Sequence, residues 1–500
     1  MRQLVDCALT LGAPVNTQRS TRPENAAPPP ELRGFDDLPG PRGLPWFGNA
    51  LQVDPPRLHQ QLEGWSREFG RIFKLLLVKR RVVVLADHEL VASVLRDRPE
   101  GFSRTSRLEE IWVEMGLQPG VFGANGEVWR RQRRMVMAGF DPAHVKHYFP
   151  ALQKVARRLG TRWQKAAREQ ATINLQADLM RFTVDTIAGL AFGAEVNTLE
   201  SDEDVIQRHL DKIFPAVFHR LFAPVATWRW LRTPSDRRLE RSLVEVRAAV
   251  DRFVAQARSR MQSDPALREH PRNLLDAMIA AADEPGSGID DPQVAGNVLT
   301  MLLAGEDTTA NTLAWMIHLL WRHPQALAQA RDEVRRVVAD PAAPTLEELA
   351  QLDFVEACAH ETMRLKPVAP ILPLQVLRDT VLGDVMLTRG TVVISLMRHD
   401  SVDEKHIHHA TQFDPARWLA EGAPGQKASA AKRISMPFGA GPRICPGRYL
   451  ALLEMKIAIA TLLGRFDISA VDTEGGGEPR EHLSFTMGPV GLRMRLRERS

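Results

Sequence analysis

Near the start of the chain, apolar positions fall into short dense runs rather than long helical stripes. Arg71–Leu77 and Arg81–Leu85 read as strands joined by a Lys79-Arg80 turn. After about residue 105 the spacing shifts to one apolar position every three or four residues. That pattern predicts helices over Glu127–Ala138, His144–Gln170, Leu175–Phe192, Asp204–Leu221, Asp236–Asp264, Pro292–Arg322, Pro324–Val338 and Thr345–Leu365. A second strand-rich patch covers Val376–Ser395, another helix runs from Cys445 to Phe466, and Leu483–Leu496 looks like a closing hairpin. Dominant helices with small segregated sheets define a mostly-α (α+β) plan, with a smaller β-rich part toward the N-terminus. There is no βαβ alternation, and no phosphate loop follows a strand.

At 500 residues, 44% hydrophobic and 25% charged, the chain has the make-up of a globular protein, which excludes a fibrous or wholly disordered one. Length alone suggests two to four domains at roughly 150 residues each. However, the only linker-like stretch is Arg22–Asp37, rich in Pro, Ala and charge. The expectation is a disordered tail over 1–37 and one unit over 38–500, entered through the rigid Leu38-Pro39-Gly40-Pro41 lead-in. A net charge of +4 is too weak to argue for a nucleic-acid partner. No run of about 20 apolar residues is long enough to anchor the chain across a membrane. Leu4–Val15 is too short for a secretory signal and carries Asp6; a transit peptide is the competing reading of the arginines around it. A soluble, cytoplasmic protein is expected.

Three cysteines, Cys7, Cys358 and Cys445, cannot build a disulfide framework and lack zinc-site spacing, which points to a reducing compartment. For Cys7 and Cys358 an inert thiol is the ordinary reading. Cys445 differs because of its setting, Phe438-Gly439-Ala440-Gly441-Pro442-Arg443-Ile444-Cys445-Pro446-Gly447-Arg448. A cysteine opening an apolar helix meets free N–H groups and a positive dipole end, both of which favour a thiolate. The glycines let the backbone approach a large flat ligand, and Phe438 can shield the sulfur from water.

This segment resembles the haem-binding loop of the cytochrome P-450 superfamily, Phe-x-x-Gly-x-Arg-x-Cys-x-Gly, met by Phe438, Gly441, Arg443, Cys445 and Gly447. Further motifs in the family's order extend the resemblance over Leu38–Leu496. It implies the cytochrome P-450 fold and haem b (iron protoporphyrin IX) held by the Cys445 thiolate, with Gly439 also in the cofactor loop. Dioxygen would be the cosubstrate. Thiolate ligation favours O–O cleavage over oxygen storage.

The helix expected over Pro292–Arg322 is interrupted by Ala304-Gly305-Glu306-Asp307-Thr308-Thr309. A glycine there costs about 1 kcal/mol against Ala, and a threonine hydroxyl bonded back to its own helix bends it. Alone, these residues are compatible with a polar helix interface. With the cysteine loop downstream, they resemble the family's oxygen-binding motif. Asp307 and Thr308 are then implied as an acid–alcohol pair delivering protons for O–O cleavage, with Ala304 and Gly305 flanking the oxygen pocket. Retention of both favours a monooxygenase over a peroxygenase or haem-thiolate isomerase, and argues against a haem-binding sensor.

Glu361 and Arg364 sit three apart on one helix face, a spacing that usually means a surface ion pair. The resemblance instead implies a buried structural network completed by Arg417 of Pro415-Ala416-Arg417-Trp418. Trp129 and Arg133, four apart, would otherwise mark an amphipathic helix with a basic face. By resemblance they hold one haem propionate and Arg443 the other. Many members carry a further arginine where this chain has Leu374, so a third basic clamp is in doubt.

No flavin or nicotinamide segment is recognised in the sequence, and electrons are expected from a separate ferredoxin or flavodoxin-type partner and its reductase. Arg130, Arg131, Arg134, Lys432, Arg433 and Arg448 flank motifs of the proximal face and suggest where it docks. The resemblance puts Ile111, Trp112, Phe218, Leu302, Ile371, Leu372 and Phe485 in the substrate pocket. This apolar set suits a fatty acid, terpenoid or steroid, hydroxylated or epoxidised by a monomeric enzyme.

Overall fold

The computed structural model describes residues 32–499 apart from 141, 194–195, 201–208, 211, 224, 420–429 and 474. Its axis is the helix Asp291–Arg322. Asp290 caps it by accepting from the Gln293 N–H at 2.9 Å, and Pro292 occupies the first turn, where no N–H is needed. Its apolar residues point in every direction, so it is buried on nearly all sides. Leu175–Phe192, bounded as the sequence predicts, packs along it. Its C-terminal half shares the main core with Asp353–Leu365 and Arg448–Arg465, around Trp163, Phe182, Leu313, Met316 and Ile457.

Several helices escape the periodicity. Leu58–Phe69 and His88–Arg96 lie in the region that reads as strands, and Ser106–Glu114 is a short helix just after it. Leu274–Ala282 is apolar all round and shows no stripe. The helix expected over Thr345–Leu365 is two, Leu346–Ala350 and Asp353–Leu365. The second is capped from outside, since the Glu333 carboxylate accepts the N–H groups of Phe354 and Val355, both at 2.9 Å. Of the helix expected over Asp204–Leu221, the described part is Ile213–Phe222; residues 201–208 and 211 lie outside the described residues.

A five-stranded sheet has the order Ile72–Leu77, Arg80–Leu85, Val392–Leu396, Ile371–Val376, Phe102–Ser103. Leu77 pairs with Arg80, so the connecting turn is Val78-Lys79, one residue earlier than expected; Val78 adopts φ +59°. The expected closing hairpin is divided between two sheets. Glu481–Leu483 pairs with Met487–Pro489, whereas Arg493–Glu498 pairs with Phe466–Asp472 and Ile173–Asn174. Order also begins before Leu38: Arg33 pairs in parallel with Val385, and its guanidinium meets Asp384 at 2.8 Å. The expected tail over 1–37 is therefore too long at its C-terminal end, because this ion pair fixes the segment to a strand. Residues 1–31 lie outside the described residues.

Candidate active site

Cys445 lies between the short turn Gly441–Arg443 and the helix Arg448–Arg465, so it precedes that helix rather than opening it. Its N–H donates to the Phe438 carbonyl at 2.9 Å, which closes the loop on the residue expected to shield the sulfur. Gly439 and Gly441 adopt φ +74° and +70°. A Cβ on Gly441 would meet the Leu95 carbonyl oxygen at 2.6 Å, so that glycine lets the loop press against the helix His88–Arg96. Burial pushes the Cys445 thiol up from its ordinary value. The Gly447 N–H on the sulfur and the charges of Arg133 and Arg448 work in the opposite direction. Cys358, by contrast, is fully buried in the main core.

Beside this loop the structure gathers cations without anions. Arg443 donates to the carbonyls of Ala124 at 2.8 Å and Val121 at 3.0 Å, and its guanidinium lies 4.8 Å from the centre of the Trp129 ring. Arg133 donates to the Ile444 carbonyl at 2.8 Å, holding the cysteine loop. Two arginines that the sequence reading missed complete the cluster. Arg98 is buried, with Nε and Nη2 lacking any partner, and Arg104 donates to the Phe122 carbonyl at 3.2 Å. Burial, with Arg98 and Arg133 nearby, lowers Arg443 to about 9; burial alone lowers Arg98 to about 10. Burial also takes Arg104 well below its usual value, with Arg98 and Arg443 adding repulsion. Among the described residues, no carboxylate pairs with Arg98, Arg104 or Arg443. Orphaned buried donors and uncompensated charge of this kind fit the two carboxylates of a haem. Leu374, where a basic clamp is missing, is a fully buried core residue.

The distal helix departs from expectation at its acid. The Thr308 hydroxyl donates to the Ala304 carbonyl at 2.8 Å, the back-bond anticipated from the sequence. Asp307 is bonded not to Thr308 but to Thr486, whose hydroxyl donates to Oδ2 at 2.7 Å. Burial raises the Asp307 pKa, and the Thr486 hydroxyl partly offsets that. Ala304 is exposed within an otherwise buried helix. Gly305 has a packing role instead: a Cβ there would stand 3.2 Å from Ile187, so the glycine permits close contact with Leu175–Phe192. On the helix after the cysteine loop, burial raises the Glu454 carboxyl to about 8, and the Thr309 hydroxyl works in the opposite direction.

The expected pocket residues divide between two clusters. Ile111, Trp112 and Leu302 pack with Phe214, while Phe218 and Ile371 pack with Phe222. Phe485 joins both and stacks on Phe214, ring centres 4.3 Å apart and planes 7° from parallel. Its backbone takes φ +93°, a conformation that an aromatic residue rarely adopts. Leu372 packs against a different cluster, that of Leu38 and Phe102. Alternation along the strand turns it away from the face of Ile371, which corrects its assignment to the pocket.

On the scaffold, the Glu361 carboxylate accepts from Arg364 Nη2 at 2.7 Å, Arg417 Nε at 2.9 Å, Trp418 Nε1 at 2.8 Å and the Asp414 N–H at 3.0 Å. Arg364 also donates to the carbonyls of Ala410, Ser401 and Gln412, so this charged group is fully satisfied although buried.

The fold, the cysteine loop and the distal threonine together define a haem-thiolate oxidoreductase of the monooxygenase class. The chain belongs to the cytochrome P-450 family, since the Cytochrome P450 family model matches residues 38–495. It is 27% identical over 477 residues to Cytochrome P450 2H2 of Gallus gallus, covering 89% of this chain and 93% of that protein. It is 25% identical over 409 residues to Protein LUTEIN DEFICIENT 5, chloroplastic, of Arabidopsis thaliana, covering 80% of this chain and 67% of that protein. A self-sufficient cytochrome P450 monooxygenase of Penicillium camemberti is 28% identical over 473 residues. That match covers 93% of this chain, which spans 43% of the fungal protein. The family implies a haem with a cysteine thiolate, use of dioxygen, hydrophobic substrates and redox partners. Among the described residues no helix is long and apolar enough to cross a membrane.

Proposed function

We propose that residues 38–500 form one catalytic unit that inserts an oxygen atom from dioxygen into a hydrophobic organic molecule, using two electrons from separate redox proteins. In this reading the Cys445 thiolate would hold the iron of haem b, and Arg443, Arg133 and Trp129, with Arg98 and Arg104, would hold its carboxylates. When bound, the haem supplies dioxygen activation and oxygen-atom transfer. The chain supplies everything around that chemistry. Phe438 and the Gly447 N–H screen and stabilise the sulfur. Thr308 presents a hydroxyl oxygen whose own proton is engaged by Ala304, and Asp307 supplies a proton from behind it. The apolar walls around Phe214, Leu302 and Phe485 exclude water and select a lipophilic substrate.

The observation that carries this reading is the buried cation cluster beside the Cys445 loop, where Arg98 Nε and Nη2 have no partner and, among the described residues, no carboxylate pairs with Arg104 or Arg443. The helix Arg448–Arg465, which follows the cysteine loop, also packs against the distal helix, and this supports reading the sulfur and the acid–alcohol pair as parts of one site. Exposed Arg134, Lys432, Arg433 and Arg448, with exposed Met137 and Tyr449 among them, support docking of an acidic ferredoxin or flavodoxin-type protein on the side of the cysteine loop. Arg130 contributes little to that face, because Glu100 and Glu127 already pair with it. The same reading takes the enzyme to be monomeric and cytoplasmic; among the described residues no helix is long and apolar enough to cross a membrane.

The test is turnover under isotopically labelled dioxygen, with a ferredoxin, its reductase and a lipophilic substrate. One labelled oxygen atom in the product is expected. Product that carries no label from dioxygen, or that forms only with added peroxide, would overturn the reading.

A further inference from the structure

Outside the candidate active site, the turn His399–Val402 gathers three imidazoles around one carboxylate. Asp400 is buried; its Oδ2 accepts from the His88 N–H at 2.8 Å and lies 2.7 Å from His88 Nδ1. Its Oδ1 lies 2.8 Å from His399 Nδ1, and His406 Nε2 stands 3.7 Å from Oδ2. One donor atom from each of His88, Asp400 and His406 falls within 4.8 Å of the other two. Among the described residues no lysine or arginine pairs with Asp400, whereas the buried acids Glu63, Glu361 and Glu481 are each held by arginine. A buried anion surrounded by imidazoles, each a ligand when neutral, is a donor set suited to zinc.

The backbone fixes these donors in place. His88 opens the helix His88–Arg96, which the Asp87 side chain caps by accepting from the N–H groups of Glu89 and Leu90 at 3.0 Å. On the other side, Arg364 donates to the carbonyls of Ser401 and Ala410, and Arg417 to those of His408 and His409. Ile407, beside His406, is buried in a cluster with Ala410 and Trp418. His399 orients the carboxylate through Oδ1, the kind of support that metal ligands require. His406 is exposed, so the group is reached from solvent. Tetrahedral zinc, with bonds of about 2.0–2.1 Å, sets its donors about 3.3 Å apart. His88 Nδ1 and Asp400 Oδ2 need only part slightly, and the exposed His406 ring has room to turn inward.

We infer that His88 Nδ1, Asp400 Oδ2 and His406 Nε2 bind one zinc ion, with water in the fourth position. The ion replaces the proton between His88 Nδ1 and Asp400 Oδ2, which passes to solvent, while the His88 N–H stays on Oδ2. It ties the start of the helix His88–Arg96 to the turn that Arg364 grips. The same helix meets the cysteine loop, where Leu95 lies against Gly441. The inference goes beyond the proposed function and does not depend on it, since none of the three ligands belongs to the haem or substrate sites.

The experiment is a calorimetric titration of the haem-loaded protein with zinc chloride, followed by X-ray absorption at the zinc edge. Uptake of one ion per chain is expected, unaffected by magnesium, which prefers an all-oxygen shell. His406→Ala, at an exposed position, should weaken uptake at least about tenfold, and His399→Ala should weaken it about tenfold through the carboxylate. His408 and His409, with rings 3.8 Å apart, are the competing ligand pair. Replacing both by Asn, which tolerates the φ of +51° at His409, should leave uptake unchanged. The absorption spectrum of the wild type should show two imidazoles and oxygen donors. Failure to take up one zinc ion, uptake that survives in His406→Ala, uptake lost with His408 and His409, or a sulfur ligand in the spectrum would each overturn the inference.

Discussion

The Thr486 hydroxyl donates to Asp307 at 2.7 Å, while no hydrogen bond joins Asp307 to Thr308. Thr486 follows Phe485, whose strained backbone and stacking on Phe214 put it at the junction of the two apolar clusters. The acid of the distal helix is thus tied to the loop that joins those clusters.

Three variants separate the roles of these groups. Thr308→Ala should uncouple electron use from product and release peroxide, and unchanged coupling would remove Thr308 from proton delivery. Asp307→Asn should slow turnover by roughly 10²-fold, the lower range for loss of a general acid. Thr486→Val removes the one hydrogen bond that lowers the Asp307 pKa, leaving burial to raise it further. The pH-rate limb belonging to Asp307 should therefore move upward in Thr486→Val and vanish in Asp307→Asn.

Glu361→Gln leaves Arg364 and Arg417 facing a neutral amide in a buried site. Loss of one member of such a network costs about 3–5 kcal/mol. Urea unfolding should show the midpoint falling accordingly, whereas Arg130→Ala, which breaks only exposed pairs, should leave the midpoint nearly unchanged.

Two buried glutamates should give pH dependences of opposite sign. Burial disfavours ionisation of Glu481, but His59, Arg398 and Lys366 override it and hold the carboxyl well below its usual value. Its stabilisation is present above the unfolded carboxylate value of about 4.3 and is lost as pH falls below it. Glu481→Gln should therefore destabilise at pH 7 by about 3 kcal/mol, with the difference from wild type closing in acid. Glu454, raised to about 8 by burial, behaves in reverse. Folding retains a proton that the unfolded chain releases, so its contribution is full below about 4.5 and is lost as pH rises toward 8. Glu454→Gln should stabilise the protein at pH 7 by about 3 kcal/mol and flatten its stability between pH 5 and 8.

The exposed cations beside the cysteine loop predict salt-sensitive electron transfer. Paired charge reversal, Arg134→Glu with Arg433→Glu, should slow reduction by an acidic ferredoxin about tenfold at low ionic strength. The gap should narrow as salt rises. Stopped-flow reduction rates that ignore both charge and salt would place docking elsewhere.

Arrangements that depend on local spacing are legible in the sequence. The Cys445 loop, Thr308 with its bond to Ala304, and Glu361 with Arg364 all act within one turn or one loop. Features created by distant segments are not. Arg98 and Arg104 occupy no recognisable motif and acquire meaning only when the cysteine loop brings Arg443 beside them. Thr486 stands 179 positions from Asp307. The Phe485 turn carries no glycine to announce its positive φ. Leu483–Leu496 looks like a hairpin in the sequence because alternation reveals a strand but not its neighbour; the pairing of Arg493–Glu498 with Phe466–Asp472 is decided by packing.

The most direct measurement of the central claim is the reduced carbon monoxide spectrum of the haem-loaded protein, compared with Cys445→His. Thiolate ligation by Cys445 predicts the red-shifted Soret band in the wild type and its loss in the variant, with haem still bound. A wild-type spectrum without that band in folded, haem-loaded protein, or the band persisting in Cys445→His, would contradict the account.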